Sequence, residues 1–179
     1  MSHTHNKPHR NSRLTARLLH HFMSGKAAAR KAFPSGTLKE IQNTIAAGEK
    51  THRAELRVIV EASLSLGAVM RYETSRQRAH ELFSHYRIWD TEENCGVLVY
   101  INLADHKVEI ITDRGVGPEL TREQWQDACA IMTRGFAQGR YHDSVLDALR
   151  TLNDWLAQKL PADRSKPGHN EISNRPLVL

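Results

Sequence analysis

The sequence predicts an α/β fold: a single-domain sandwich in which a small mixed β-sheet is flanked by helices, with an extra basic amphipathic helix at the amino terminus. Three observations predict it. Ala54-Glu55-Leu56-Arg57-Val58-Ile59-Val60 alternates and is rich in β-branched residues, the pattern of a half-buried strand. Gly96-Val97-Leu98-Val99-Tyr100-Ile101-Asn102-Leu103 is almost continuously apolar, which suits a central strand covered on both faces. Between and after these strands the apolar residues recur at helical spacing. A strand, a helix and a second strand make a crossover, so the two strands run parallel. Ala104-Asp105-His106 then turns the chain into Lys107-Val108-Glu109-Ile110-Ile111-Thr112, an antiparallel hairpin partner.

The remaining elements follow in order. Residues 1–11 read as a disordered tail whose His3 and His5 lack a rigid third ligand for a metal. Over 12–32, Leu14, Leu18, Phe22 and Met23 share a helical face opposite Arg13, Arg17 and His21. Such a helix can contact an anionic membrane surface or dock its stripe on its own domain, and docking is the favoured expectation. Phe33-Pro34-Ser35-Gly36-Thr37 starts the core unit over 33–160, first with a helix carrying Leu38, Ile41 and Ile45 and stopped near Gly48. Ala79, Leu82, Phe83 and Tyr86 mark the crossover helix. Thr121 and Gln124 form a capping box before Trp125, Cys129, Met132 and Phe136, and a last helix with Val145, Leu149, Leu152, Leu156 and Leu160 stops at Pro161. Residues 161–179 read as a flexible tail.

Composition removes whole classes. The 179 residues suit one domain. With 40% apolar and 25% charged residues, the chain is neither collagen-like nor wholly disordered. Two cysteines, Cys95 and Cys129, are too few for a disulfide framework or a structural zinc site. No stretch reaches the roughly 18 to 20 apolar residues of a membrane span, and no apolar signal core opens the chain, so a cytoplasmic location is expected. The net charge of +5 is uneven: residues 1–31 hold seven Lys and Arg and no acid, which leaves the remainder at −2. A nucleic-acid partner is therefore not expected, since its binding needs cations spread over the folded face.

Strand direction supplies the candidate chemistry. Parallel strands put Glu55 and the loop Asp90–Asn94 at one sheet edge, and the hairpin returns Asp113-Arg114-Gly115 to that same edge. Glu55, Asp90, Glu92, Glu93, Asn94 and Asp113 thus form one oxygen-rich rim, with Arg114 as the immediate cation. Gathered carboxylates repel unless a cation or proton offsets them, and Ca²⁺ or Mg²⁺ takes such ligands. The candidate metal ligands are Asp90, Asn94, Asp113 and Glu55, with Asp90 and Asp113 preferred and Glu92 and Glu93 last. Arg57 and Arg114 are candidates for holding a phosphate. The loop is not an EF-hand, because Cys95 and Ile101 stand where that motif needs Gly and Glu. The competing reading makes these residues loop caps and solvated charges. Gly115-Val116-Gly117-Pro118 lacks the rest of any phosphate-cradling or dinucleotide motif, so no nucleotide cofactor is expected. Thiolate-phosphatase, serine-elbow and His-Glu-x-x-His patterns are missing, which disfavours covalent hydrolysis. His106, in the hairpin turn, falls at the opposite edge.

Ala54-Glu55-Leu56-Arg57, the run Trp89–Leu98 and Val108–Gly115, in that order and with Trp125 and two closing helices behind them, resemble the TPM domain family over about residues 33–160. The likeness is to its short branch without signal peptide or membrane helix. It implies a compact α/β sandwich and, from relatives, calcium binding or weak acid phosphatase activity. The leading expectation is a divalent-cation-binding interaction or assembly module with an unidentified protein partner. The alternatives are a metal-dependent phosphomonoesterase, with Asp90, Asp113 and Arg114 at the reacting centre, and a peripheral membrane adaptor working through helix 12–32.

Overall fold

The computed structural model describes residues 14, 15, 17–19, 21, 25–163 and 170–179. Of the expected features, His3 and His5, Arg13, Phe22, Met23 and part of the C-terminal tail lie outside the described residues. Leu14, Arg17, Leu18 and His21 are helical, Gly25 is extended, and α1 runs over Lys26–Ala32. The order thereafter is α2 (Ser35–Gly48), β1 (Glu55–Glu61), α3 (Leu66–Met70), α4 (Ser75–His85), β2 (Gly96–Asn102), β3 (Lys107–Thr112), a 3-10 turn, α5 (Arg122–Ala137), α6 (Tyr141–Lys159) and β4 (Leu177–Val178).

Capping chemistry sets the helix starts. Thr121 and Gln124 form the capping box of α5, and Thr74 with Gln77 forms another at α4. The four strands make one open sheet in the order β3-β2-β1-β4. β1 and β2 are parallel, with Glu55 beside Gly96 and Val60 beside Ile101, while β2 and β3 are antiparallel, with Val97 beside Thr112. β2 is buried along its whole length, as its unbroken apolar run requires. Leu56, Val58 and Val60 join Val97, Val99 and Ile101 on the face covered by α2, α5 and α6. Ile59, Leu98, Tyr100 and Ile111 line the other face, beneath α4 and the C-terminal segment.

The end of the chain departs from the expected flexible tail. Leu177 and Val178 pair in parallel with Ile59 and Val60, and Ile172 and Asn174 are buried. A two-residue strand shows no periodicity, yet its apolar side chains cover sheet surface that α4 leaves open. At the amino end, Leu14 and Leu18 pack on Leu64, Ala68 and Val69, so the described part of that stripe lies on its own domain.

Candidate functional site at the acidic strand edge

Backbone pairing brings the loop before β2 and the end of β3 together. The Asp113 N–H donates to the Gly96 carbonyl at 2.9 Å, and the Gly115 N–H donates to the Asn94 carbonyl at 2.9 Å. Gly115 is required by this approach, because a Cβ there would collide with the Glu93 and Asn94 carbonyls. Gly96 is required likewise, since its Cβ would enter the Ile88 carbonyl. Asn94 sits at φ 55°, a left-handed conformation that its short polar side chain tolerates. Across four residues of the same loop, the Thr91 hydroxyl accepts the Cys95 N–H at 2.9 Å and fixes the turn.

The side chains divide the rim into two parts. On the β3 side, Asp113 Oδ1 accepts the Arg114 N–H at 2.7 Å, and Arg114 Nε donates to Asn94 Oδ1 at 3.1 Å. The other Asp113 oxygen, Oδ2, is buried and has no hydrogen-bond partner. On the β1 side, Glu55 is buried and its Oε2 accepts the Ile172 N–H at 3.2 Å, while Arg57 donates to the Ser173 carbonyl. Glu55 and Arg57 therefore serve the C-terminal segment, and burial pulls the Arg57 guanidinium below its ordinary value. Asp90 and Glu92 are exposed, and the Glu92 N–H donates to the Glu171 carboxylate at 3.0 Å.

Arg114 is not the sole cation at the edge. Arg53 forms an ion pair with Glu93. Arg53, Glu49 and Glu171 carry no motif that marks them in the sequence; Glu171 and Glu49 enter through the C-terminal segment, and its docking is what the sequence conceals. The Cys95 thiol is pushed up to about 11, first by burial and then by the charge of Glu93, against Arg53, with Asp113 and Glu171 adding to the rise. Three carboxylates thus act on one small loop, and the thiol beside them is no nucleophile at neutral pH. Cys129, also raised to about 11 by burial, is equally inert.

Among the described residues, no three His, Cys, Asp or Glu side chains converge as a metal-binding group. A cation at this edge would have to draw on amide and carbonyl oxygens beside Asp113. The orphaned Oδ2 fits that chemistry, because hard cations accept mixed carboxylate, amide and carbonyl donors and a buried carboxylate oxygen without a partner is costly.

The opposite edge is closed. Asp105, in the β2–β3 turn, receives Arg17 through Nε and Nη2, each at 2.8 Å, and His21 Nε2 lies 3.0 Å from its Oδ1. Asn102 Nδ2 adds a bond at 3.2 Å. Burial alone would raise the Asp105 carboxyl, but the bonds from Arg17 and His21 outweigh it and hold it below the ordinary range. Arg17 and His21 thus hold the described part of the amino-terminal helix against the β2–β3 turn, at the carboxyl end of β2. Among the described residues, no helix is long and apolar enough to cross a membrane.

The sequence matches the model of the TPM domain over residues 29–154. Among solved structures, the NMR structure of the BA42 protein from the psychrophilic bacterium Bizionia argentinensis superposes with a TM-score of 0.71 at 21% identity, covering 82% of this chain and 94% of that one. That likeness supports the fold. Among curated proteins, no sequence matches. With the family model spanning well over half of its length and the same mixed sheet beneath it, this chain belongs to the TPM domain family.

Proposed function

We propose that this TPM domain is a divalent-cation-binding interaction module whose ion is held at the β3 side of the acidic edge. Asp113 is the anchor and Asp90 a further oxygen donor; Asn94 Oδ1 joins them only by giving up the Arg114 Nε contact, and Glu55 is left out because the C-terminal segment uses it. The observation that carries the reading is the buried, unpartnered Asp113 Oδ2. A carboxylate oxygen left there without a donor is costly, and a cation reaching it through a small movement of the loop would offset that cost. A calcium-type ion also tolerates irregular ligand sets, which suits a loop offering few carboxylates. Binding would cancel charge along the Asp90–Asn94 loop and leave an exposed, less acidic surface for a protein partner.

The test is a thermal melt of the full chain in chelator and in millimolar Ca²⁺, Mg²⁺ or Mn²⁺. At about ten times its dissociation constant, a ligand specific to the native state adds about 1.4 kcal/mol, a rise of roughly 3–6 °C for a domain of this size. Asp113→Asn keeps the Arg114 N–H contact through its remaining oxygen and should abolish the rise. An unchanged melting point in the wild type sinks the reading. Phosphomonoester hydrolysis requires the same ion and adds Arg114 as the group steadying the phosphoryl oxygens. Turnover of a chromogenic phosphate ester that is metal-dependent and lost in Asp113→Asn would promote that reading over a purely binding role.

A further inference from the structure

Among the described residues, four of the five exposed large apolar side chains stand on two elements that touch each other. Leu66, Met70 and Tyr72 belong to α3 and the turn behind it, and Leu19 to the helix packed on α3; Trp89 alone lies elsewhere, beside Asp90. Leu66 and Met70, one helical turn apart, face outward, while Ala68 and Val69 between them are buried and meet Leu14 and Leu18. Met70 is 64% exposed, so packing within the domain does not account for it.

The charge that accompanies these side chains has one dominant sign. From Ala62 to Tyr72 the chain has no acid, and Arg71 stands between Met70 and Tyr72 with its side chain 73% exposed. Its partner Glu73 lies 3.8 Å away and is only 13% exposed. Residues 1–31 carry seven Lys and Arg and no Asp or Glu. Arg17 is neutralised by Asp105, whereas Arg30 and Lys31 are exposed.

The surface beside these anchors is not a groove for a partner helix. The open depression next to the turn is lined by Arg71, Glu73, Gln77, His80, Glu81 and Ser84, which gives an apolar helix face no apolar floor to lie on. Apolar side chains raised on a short helix and a turn, with cations about them, instead suit the boundary between lipid headgroups and acyl chains. Tyr72 is of the amphipathic type that settles there, its ring among the chains and its hydroxyl among the headgroups. The stripe that helical spacing offers for such a contact, Leu14 and Leu18, is taken up by the domain itself, so the contact surface is a different one.

We propose that Leu66, Met70 and Tyr72, together with Arg71 and the cations of the amino-terminal arm, form a docking face for an anionic lipid surface. The Arg17–Asp105 ion pair and the contacts of Leu14 and Leu18 hold the root of the arm against α3, which keeps the cations of the arm near the apolar anchors. The cations draw the domain to the headgroups, and each one within reach multiplies the affinity about fivefold. The apolar side chains then enter the interface and make the contact more than electrostatic. This proposal does not rest on the cation reading, which concerns Asp113 and its neighbours.

The test is flotation of the full chain with vesicles of phosphatidylcholine, alone or mixed with phosphatidylglycerol. Chelator is present throughout, so that an ion bridging the acidic edge to lipid contributes nothing. Recovery is expected with the anionic vesicles only, and it should fall when salt rises from about 0.1 M to about 1 M, where screening shortens the reach of the cations about threefold. Met70→Gln combined with Tyr72→Asn, an exchange that the Tyr72 φ of 59° tolerates, should weaken partition at least tenfold. Arg71→Gln should weaken it about fivefold and keeps the proposal testable if the double variant does not fold. Trp89→Gln removes an exposed apolar side chain elsewhere and should change nothing. No recovery on anionic vesicles, equal recovery on neutral ones, full recovery of the double variant or of Arg71→Gln, or an equal loss in Trp89→Gln would each overturn the proposal. Full recovery of the double variant would also mark the arm as a binder of acidic surfaces in general, an acidic protein included.

Discussion

A single residue can decide whether a buried polar cluster stabilises or strains the sheet, and Glu61 shows how. It lies at the end of β1, buried, where the Tyr100 hydroxyl donates to it at 2.6 Å and Arg78 donates through Nε and Nη2, the latter at 2.8 Å. Its effect shows on both partners: burial and then the Glu61 charge drive the Tyr100 phenol up, and the Glu61 bond drives Arg78 up. Tyr100 and Arg78 therefore stay protonated at any ordinary pH. Tyr100→Phe removes one charge-assisted hydrogen bond and keeps the ring, so a loss of about 1.5–3 kcal/mol in urea unfolding is expected. A loss below about 0.5 kcal/mol would mean that Arg78 alone satisfies the carboxylate. None of this was legible in the sequence, because Glu61 follows the alternating run and nothing local says that Tyr100, thirty-nine positions away, shares its face.

Elements were legible in proportion to their length and regularity. The all-apolar run of β2, the alternation of β1, the short hairpin turn into β3 and the Thr121 capping box each declare themselves locally, and the structure has all four. Strand direction then brought the Asn94 loop and Asp113 side by side without any contact information. What stayed hidden are contacts made by the two chain ends. β4 is too short for periodicity, and the charged grip on it by Glu49, Glu55 and Arg57 converts two predicted site residues into fasteners. At the other end, helical spacing found the apolar stripe of Leu14 and Leu18, but not that Arg17 and His21 close on Asp105. That attachment makes its own prediction. Asp105→Asn abolishes the charge that the Arg17 guanidinium meets, so tryptic cleavage after Arg17 should accelerate at least severalfold under native conditions, while cleavage within α6 should not. Equal rates in variant and wild type would show that Leu14 and Leu18 hold the helix without help.

At the scale of the whole molecule, the two ends are fastened to opposite edges of the sheet by carboxylates perturbed in opposite directions. Asp105 is held below its ordinary value of 3.8, so its contribution to stability is present above that value and is lost as pH falls through its lower folded one. Glu49 is raised from 4.5 to about 7, so its contribution is greatest below pH 4.5 and declines until about pH 7. His52 opposes this slope in part: burial lowers it, so the folded state resists the proton that the unfolded chain takes up below 6.5. The Glu49 component is isolated by the difference between the wild type and Glu49→Gln, in which Asp105 and His52 cancel. That difference, from urea unfolding at pH 5 and pH 8, should move by about 2–3 kcal/mol in the direction that makes the wild type relatively weaker at pH 8. A difference that is flat, or that moves the other way, would mean that Asn174 and the Leu56 N–H stabilise the ionised carboxylate more than burial and Glu55 disfavour it.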